Sequence, residues 1–318
     1  MRFSAPRSVA RLTASVALAG TIALAGGTAF AQDATPALTP IDPATCVSPG
    51  LGMASPAAAP VAASPVAADA ELDALLEAAT PVEDEAVIAD ATAAVENFYA
   101  CYNAGGGSMY GLFTDDAFVT YFGGIDLEVL EAESADDAMM ASHIDVHEVL
   151  DLGDGRYAVD YQVTIGHQVE HVTDIFAVED GTWLVDGNAG YSAPETDLDS
   201  TTASVKISEA DGEHAIEVSP SPIMNQPAVK LQIANQTEDF LIVVLLQGGD
   251  AASLPADADL SDLPEGMSIL GAVAVEPGAH EIGLWEGLDE GNYVIFVETG
   301  HGSAAYDLTI DPPFDPSA

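Results

Sequence analysis

Basic residues are nearly absent from this sequence. Its 318 residues include six lysines and arginines against 52 aspartates and glutamates, which gives a formal net charge of −46 at pH 7. A surface so rich in carboxylates repels nucleic acid phosphates and anionic lipid headgroups. The composition therefore excludes nucleic acid as a partner, and it favours a role for the acids in solubility.

Several motifs that carry chemistry are also missing. The sequence has no G-x-S-x-G nucleophile elbow, no Walker-type loop and no G-x-G-x-x-G loop. A calcium loop is absent too, because the nearest cluster, Asp257, Asp259 and Asp262, lacks the loop glycine and the terminal glutamate. We therefore expect no cofactor.

The first 31 residues have the three parts of a secretory signal peptide. Three arginines precede an apolar run at Leu12–Ala25, and an A-x-A cleavage site ends at Ala31. The apolar run is shorter than the about 20 residues that a transmembrane helix needs. We expect cleavage after Ala31, a secreted or extracellular protein, and no membrane insertion. Cleavage would leave three basic residues (Arg156, Lys206 and Lys230) against 52 acidic ones.

Cysteine occurs twice, at Cys46 and Cys101. Outside the cell such a pair predicts a disulfide. The bond would close a loop of about 55 residues, and in the chain-entropy model it would stabilise the fold by about 4 kcal/mol. The alternative, a catalytic thiol, needs an activating base, and neither cysteine has a histidine nearby in sequence.

Residues 32–68 are rich in alanine, proline, serine and threonine. They have almost no large apolar side chains to bury, so they predict an extended, flexible linker.

Residues 69–191 change from helical to strand periodicity. The first part predicts helices at Ala70–Ala79, Val82–Asn103, Ser108–Asp116 and Leu127–Ala141, with a strand at Ala117–Phe122. The second part predicts strands at His143–Leu150, Tyr157–Ile165, Gln168–Val178 and Thr182–Asp186. Asp154-Gly155 and Asp180-Gly181 are typical of hairpin turns. Helices followed by an antiparallel meander indicate an α+β domain.

The run VENFYACYNAGGGSMYGLFTDDAFVTYFGG at Val95–Gly124 resembles the opening of the NTF2-like, or SnoaL-like, superfamily. That family has a long helix, a break of small residues, a short helix ending in F-x-D-D-A, and then a strand. Phe113–Ala117 matches the motif, and Val172–Phe176 and Gly181–Asp186 resemble the family's last two strands. The resemblance implies a curved sheet wrapped around helices, with a cone-shaped pocket.

Residues 203–318 predict an all-β sandwich, with strands separated by glycine, proline, aspartate and asparagine. The strands are predicted at Val205–Ser208, His214–Val218, Ala228–Ala234, Phe240–Leu246, Met267–Val275, His280–Leu284, Tyr293–Thr299 and Ala305–Ile310. The turn at Asn235–Asp239, V-E-P-G at Val275–Gly278 and Leu288–Tyr293 resemble a cupredoxin-like domain. Type-1 copper needs a cysteine four residues after Tyr293, where this chain has Val297. His301 lies downstream, but without the thiolate the copper site is absent.

Four histidines, His143, His147, His167 and His171, form i, i+4 pairs on predicted strands. Residues i and i+4 share a face of a strand, so these pairs are candidates for a zinc or copper site. Solvent-exposed polar positions on a hairpin are the alternative.

Asp174 lies among apolar residues on the face of its strand that is expected to be buried. Burial would raise its pKa, which suits a general acid or a hydrogen-bond donor. Ketosteroid-isomerase-type members of the resembled superfamily pair a pocket acid with a helix tyrosine, for which Tyr99 and Tyr102 are the candidates. Asp160 is a further candidate pocket acid.

We expect a non-enzymatic protein that binds a small, largely apolar molecule or has a structural role outside the cell. One alternative is a small-molecule isomerase or hydratase-like enzyme that uses Asp174 with a helix tyrosine. Another is a surface adhesion module, indicated by the linker and the sandwich. Oligomeric state is left open.

Overall fold

The computed structural model describes residues 39–48, 72, 74–105, 107–122, 140–210, 213–255, 260, 263–264, 266–299 and 302–312. They fall into two compact units. The first contains Thr39–Val163 and His171–Ser192, and the second contains Thr164–Glu170 and Ala193–Ala318. The predicted signal peptide and residues 32–38 and 49–68 of the predicted linker lie outside the described residues.

Helix α1, Glu85–Ala104, is the long helix of the first unit. The side chain of Asp84 accepts a hydrogen bond from the backbone N–H of Ala86 and caps its N-terminus. The helix ends at Gly105, whose φ of 64° suits glycine. The helix predicted at Val82–Asn103 is confirmed, and residues 74–78, inside the predicted Ala70–Ala79, are also helical.

The strand predicted at Ala117–Phe122 is wrong. Ser108–Leu112 forms a 3₁₀ turn, and Asp115–Phe122 forms helix α2. The Thr114 hydroxyl accepts from the backbone N–H of Ala117 at 3.2 Å and caps α2. Asp115 and Asp116 then place negative charge in its first turn. The cap and the acids outweigh the strand propensity of the aromatic and β-branched residues that follow.

Five antiparallel strands lie mainly in the first unit, with β1 to β4 neighbours in chain order and β5 paired to β4. They are β1 (Thr80–Pro81), β2 (Ala141–Gly153), β3 (Arg156–Ile165), β4 (Gln168–Glu179) and β5 (Thr182–Ser192). Within them, residues 164–165 and 168–170 belong to the second unit. The four predicted strands are confirmed. Asp154 and Asp180 have φ of 53° and 50°, as the predicted hairpin turns require. The helix predicted at Leu127–Ala141 lies outside the described residues, apart from its last two positions, of which Ala141 begins β2.

A disulfide joins Cys46 to Cys101, as predicted. Around it, the side chain of Asn97 bonds both the N–H and the carbonyl of Val47, at 2.7 and 3.0 Å. The side chain of Asn103 donates to the carbonyl of Ile41 at 2.8 Å. Residues 39–48, which composition assigns to the linker, are therefore held against α1.

The second unit contains nine strands among the described residues. They are β6 (Ser200–Ala210), β7 (Glu213–Ser219), β8 (Ile223–Met224), β9 (Ala228–Asn235), β10 (Leu241–Gln247), β11 (Ser268–Val275), β12 (His280–Glu286), β13 (Gly291–Thr299) and β14 (Gly302–Asp311). All eight predicted strands are present, and the short β8 was not predicted.

These strands form two sheets, ordered β12-β9-β6-β7 and β11-β10-β13-β14-β8. One apolar core contains residues from both sheets, among them Leu231, Trp285, Leu245 and Ile295. The predicted β-sandwich is thereby confirmed. Gly283 makes room for the largest core side chain, because a Cβ there would lie 2.4 Å from the Trp285 ring.

Two side-chain contacts fix parts of the sandwich. The Tyr293 hydroxyl donates to the carbonyl of Asp289 at 2.8 Å, the arrangement of a tyrosine corner. The Gln168 amide group donates to the carbonyl of Ala272 and accepts from its N–H, each at 2.7 Å. Gly271 allows this approach, because a Cβ there would lie 2.2 Å from Gln168 Oε1.

Candidate functional site

Asp174 lies inside the first unit, on the buried face of β4, with 6% of its surface exposed. Both carboxylate oxygens have a donor. The Tyr161 hydroxyl donates to Oδ2 at 2.5 Å, and the Asn188 amide nitrogen donates to Oδ1 at 2.8 Å. The burial expected for Asp174 is therefore confirmed, together with a hydrogen-bonded environment that sequence reasoning missed.

Tyr99, on α1, is joined to this cluster through Tyr161, because the two hydroxyl oxygens are 3.3 Å apart. Tyr99 points into the sheet because it continues the buried stripe of Ala91 and Val95, one turn apart along the helix. Tyr102, the other helix candidate, meets Tyr99 edge to face, with ring centroids 6.1 Å apart. Asp174, Tyr161 and Tyr99 thus form one hydrogen-bonded chain.

Tyr161 had a signal in the sequence. Asp160 and Gln162, its neighbours in sequence, lie on the opposite face of β3, so Tyr161 lies on the apolar face. It is fully buried there. A buried tyrosine hydroxyl usually finds a hydrogen-bond partner, so the position called for a polar group opposite it.

Irregular pairing between β4 and β5 places Asn188 opposite Asp174. The register shifts between Thr173 and Asp174, and again between Ile175 and Phe176. Each shift adds a residue to β5, and such bulges re-aim side chains. Strand alternation alone does not reveal them, so the partner of Asp174 was not predictable from the sequence.

Tyr121 approaches the same place from α2. A Cβ built on Gly187 would lie 3.6 Å from its hydroxyl, and Tyr121 is buried. Because a strand was predicted here, the sequence analysis did not place Tyr121 in the cluster. In the helix, Tyr121 lies one turn after Ala117, and both side chains are buried.

Burial dominates the electrostatics of the cluster. It raises the pKa of Asp174, and the hydrogen bonds from Tyr161 and Asn188 offset part of that rise. Burial also raises the pKa of Tyr161 and Tyr121, and the nearby Asp174 adds to both effects.

One buried polar atom of the cluster has no partner among the described residues. It is the amide oxygen of Asn188, a residue that is 2% exposed. Its amide nitrogen is bonded to Asp174, so the side chain is held in place while the oxygen is left open to a donor. A buried acceptor without a partner costs about 1–3 kcal/mol.

Asp160 does not join this site, and its assignment as a pocket acid is not supported by the contacts. It precedes Tyr161 on β3 and therefore points to the opposite face of the sheet. There Oδ1 lies 2.8 Å from His171 Nε2, and Oδ2 accepts from the Thr173 hydroxyl at 2.8 Å.

The four candidate histidines are not gathered into one site. His147 stacks on His171, with ring centroids 5.1 Å apart and an angle of 25°. Nearly parallel rings direct their in-plane nitrogen lone pairs side by side, which does not suit a shared metal. His143 is exposed on β2, and His167 belongs to the second unit, where Nδ1 is 2.9 Å from the carbonyl of Glu286. The described residues contain no group of three or more histidines, cysteines or acids that could hold a metal.

In the sandwich, Val297 is fully buried in the apolar core where a type-1 copper site would need its cysteine. His301 and the acids Asp257, Asp259 and Asp262 lie outside the described residues. In the part of the chain that the structure describes, no helix is long and apolar enough to cross a membrane.

Comparison with solved structures gives distant similarities. The McoA multicopper oxidase from the hyperthermophile Aquifex aeolicus is 10% identical, with a TM-score of 0.22 over 56% of this chain and 48% of that chain. A multicopper oxidase from Campylobacter jejuni, a metallo-oxidase, is 6% identical, with a TM-score of 0.21 over 52% of this chain and 46% of that chain. The chain thus spans about half the length of these structures, and TM-scores this low carry no argument. No protein-family model and no curated protein matches the chain.

Proposed function

We propose that this chain is an exported, non-enzymatic protein whose first unit binds a small, largely apolar molecule. In this proposal the first unit is an NTF2-like domain, and the second is a cupredoxin-like sandwich without copper. The observation that carries the proposal is the buried amide oxygen of Asn188, which has no partner among the described residues and lies beside the buried Asp174. A ligand that donates one hydrogen bond would remove the cost of leaving that acceptor unpaired.

The surroundings of the cluster support an apolar ligand. Phe98 packs edge to face against Tyr99 and Phe113, with ring centroids 5.2 and 5.8 Å apart. Phe113 in turn contacts Tyr121 and Phe122. Few polar groups within an aromatic interior are typical of small-molecule sites.

The contacts favour binding over isomerisation. An isomerase needs a base beside its acid, and Asp160, the second candidate carboxylate, points to the opposite face of β3. Both oxygens of Asp174 are also occupied by protein donors, so its carboxyl group is not presented directly to a substrate.

Export is supported by the disulfide between Cys46 and Cys101, since such bonds persist in oxidising compartments. The signal peptide pattern at residues 1–31 points the same way. A structural role for the sandwich is supported by the buried Val297 and by the tyrosine corner at Tyr293.

A thermal-shift screen of the chain from residue 32 onward tests the proposal. The compounds are small neutral ring molecules, including cyclic ketones, cyclic alcohols and phenols. A ligand at 100 times its Kd stabilises the folded state by about 2.7 kcal/mol, which a shift in Tm detects. We expect hits that Asn188→Leu abolishes and that the control Asp160→Asn, on the other face of the sheet, retains. A screen without hits, or hits that Asn188→Leu leaves unchanged, would contradict the proposal.

A further inference from the structure

The hydrogen bonds around Asp174 have a direction when its carboxylate is ionised. Tyr161 donates to Oδ2, and Asn188 donates to Oδ1. The single hydroxyl proton of Tyr161 is used in its hydrogen bond to Asp174, so the Tyr161 oxygen accepts a hydrogen bond from Tyr99. These donors all point toward the carboxylate, and the atom left without a partner among the described residues is an acceptor, Asn188 Oδ1.

A proton added to Oδ2 reverses the chain. The carboxyl O–H then donates to the Tyr161 oxygen, and Tyr161 donates to Tyr99, the other group with which its hydroxyl bonds. Tyr99 can no longer donate to Tyr161, so its proton turns away from the cluster.

A proton added to Oδ1 has a parallel effect at Asn188. An O–H cannot face the amide nitrogen, because both groups are donors. Turning the carboxamide over lets its oxygen accept from the carboxyl O–H. The amide nitrogen then takes the place of the open oxygen, so a donor replaces an acceptor at that point.

Only the second route changes the open position at Asn188, since protonation at Oδ2 leaves its amide nitrogen donating to Oδ1. The inference concerns that route, and it rests on the binding function proposed above. We infer that the protonation state of Asp174 selects the class of molecule the site takes. The ionised site takes molecules that donate, such as alcohols. With the proton on Oδ1 and the carboxamide turned over, the neutral site offers a donor in place of the open acceptor, so it also takes molecules that only accept, such as ketones.

The groups that face Asp174 bear on the pH dependence of the site. They come from four elements: Tyr161 on β3, Tyr99 on α1, Tyr121 on α2, and Asn188 with Asp186 on β5. Burial raises the pKa of both Tyr161 and Tyr121, so they stay neutral. Asp186 is bonded to the Thr114 hydroxyl at 2.9 Å, and burial moves the pKa of Asp174 upward.

Titration calorimetry with cyclohexanone and cyclohexanol, from about pH 4 to about pH 8, tests the inference. Above the pKa of Asp174, the affinity for cyclohexanone should fall about tenfold per pH unit. Cyclohexanol both donates and accepts, so its affinity should change by less than about threefold over the same range. Asp174→Asn cannot ionise, and it should bind cyclohexanone without pH dependence. The control Asp160→Asn should keep the wild-type profile.

A cyclohexanone affinity that does not change with pH, while both compounds bind, would overturn this inference and leave the proposed function standing. The same result follows if Asp160→Asn, rather than Asp174→Asn, removes the pH dependence. Binding of neither compound at any pH, together with an empty ring-compound screen, would overturn both proposals. The wild-type profile alone decides the matter if Asp174→Asn fails to fold.

Discussion

The interiors of the two units differ in the polar groups that they bury. The sandwich buries an apolar core in which Trp285, Leu231 and Leu245 are almost fully covered. The first unit buries a carboxyl group and an amide beside its helices, at Asp174 and Asn188. Unlike apolar packing, burying such groups costs free energy unless each is paired. The two interiors therefore allow the effects of apolar packing and of buried polar pairing to be compared within one chain.

The largest loss of stability is expected in the sandwich core, where the side chains contribute through apolar packing. Trp285→Ala removes the largest side chain of the sandwich core and should lower the free energy of unfolding by about 3–5 kcal/mol, measured by urea denaturation. Trp285→Phe should cost much less, since it also removes an indole N–H that is buried without a partner among the described residues. Equal losses for the two variants would contradict this account of the core.

Within the polar interior, Tyr161→Phe should cost about 1.5–3 kcal/mol at a pH where Asp174 is ionised, because it removes a hydrogen bond to a charged group. The cost should shrink in acid, where a neutral carboxyl needs the donor less. Tyr157→Phe, on the same strand but packed against the Trp183 ring, is the matched control and should change stability by less than about 0.5 kcal/mol. If both variants lost similar stability at every pH, the hydrogen bond from Tyr161 to Asp174 would have no special effect on stability.

Asp174→Asn should change how stability depends on pH. Because burial raises the folded-state pKa of Asp174 above its ordinary value of 3.8, its contribution to stability is fully present in acid. That contribution is lost as the pH rises through the folded-state pKa, by at most about 1.4 kcal/mol for each pH unit. Unfolding curves of wild type and variant, compared from about pH 4 to pH 8, should differ by this component. Parallel curves would show that the carboxyl does not titrate differently on folding.

The smallest effect is expected at the tyrosine corner. Tyr293→Phe removes one hydrogen bond and should cost about 1 kcal/mol. Burial, aided by the charge of Asp289, raises the pKa of Tyr293 from 10.0 to about 12. Wild type should therefore lose stability between those two pH values, and the variant should lack that component of the loss. If the unfolding curves of wild type and Tyr293→Phe changed equally between these pH values, the raised pKa of Tyr293 would be contradicted.

Regular elements were predictable because their signals are local. Alternation along Tyr157–Ile165 and a strand rich in apolar residues at Phe240–Leu246 both indicate their structures directly. The pair Cys46 and Cys101 indicated the disulfide from its number and its context. Helix α2 was missed because a capping threonine and two acids outweighed strand propensity. A tertiary hydrogen bond, from the Thr114 N–H to the carbonyl of Val185 on β5, also holds the start of this helix.

The candidate site was predictable only in part. Asp174 and Tyr99 carry residue-level signals, namely an acid on an apolar face and an aromatic residue on a buried helix stripe. Asn188 carries none, because its position depends on two register shifts that no alternation pattern records. The membership of the cluster was therefore set by strand pairing, which is a property of the folded chain.

The Gln168 side chain has a consequence for self-association. β11 is the edge strand of its sheet, and its sequence, SILGAVAV, is mostly small and apolar. An open edge of this kind is a template on which another chain can add a strand. By occupying the N–H and the carbonyl of Ala272, the amide interrupts that template with a group that cannot be extended. A strand added at this edge would therefore meet an N–H and a carbonyl that are already bonded, and its ladder of hydrogen bonds would be broken at Ala272.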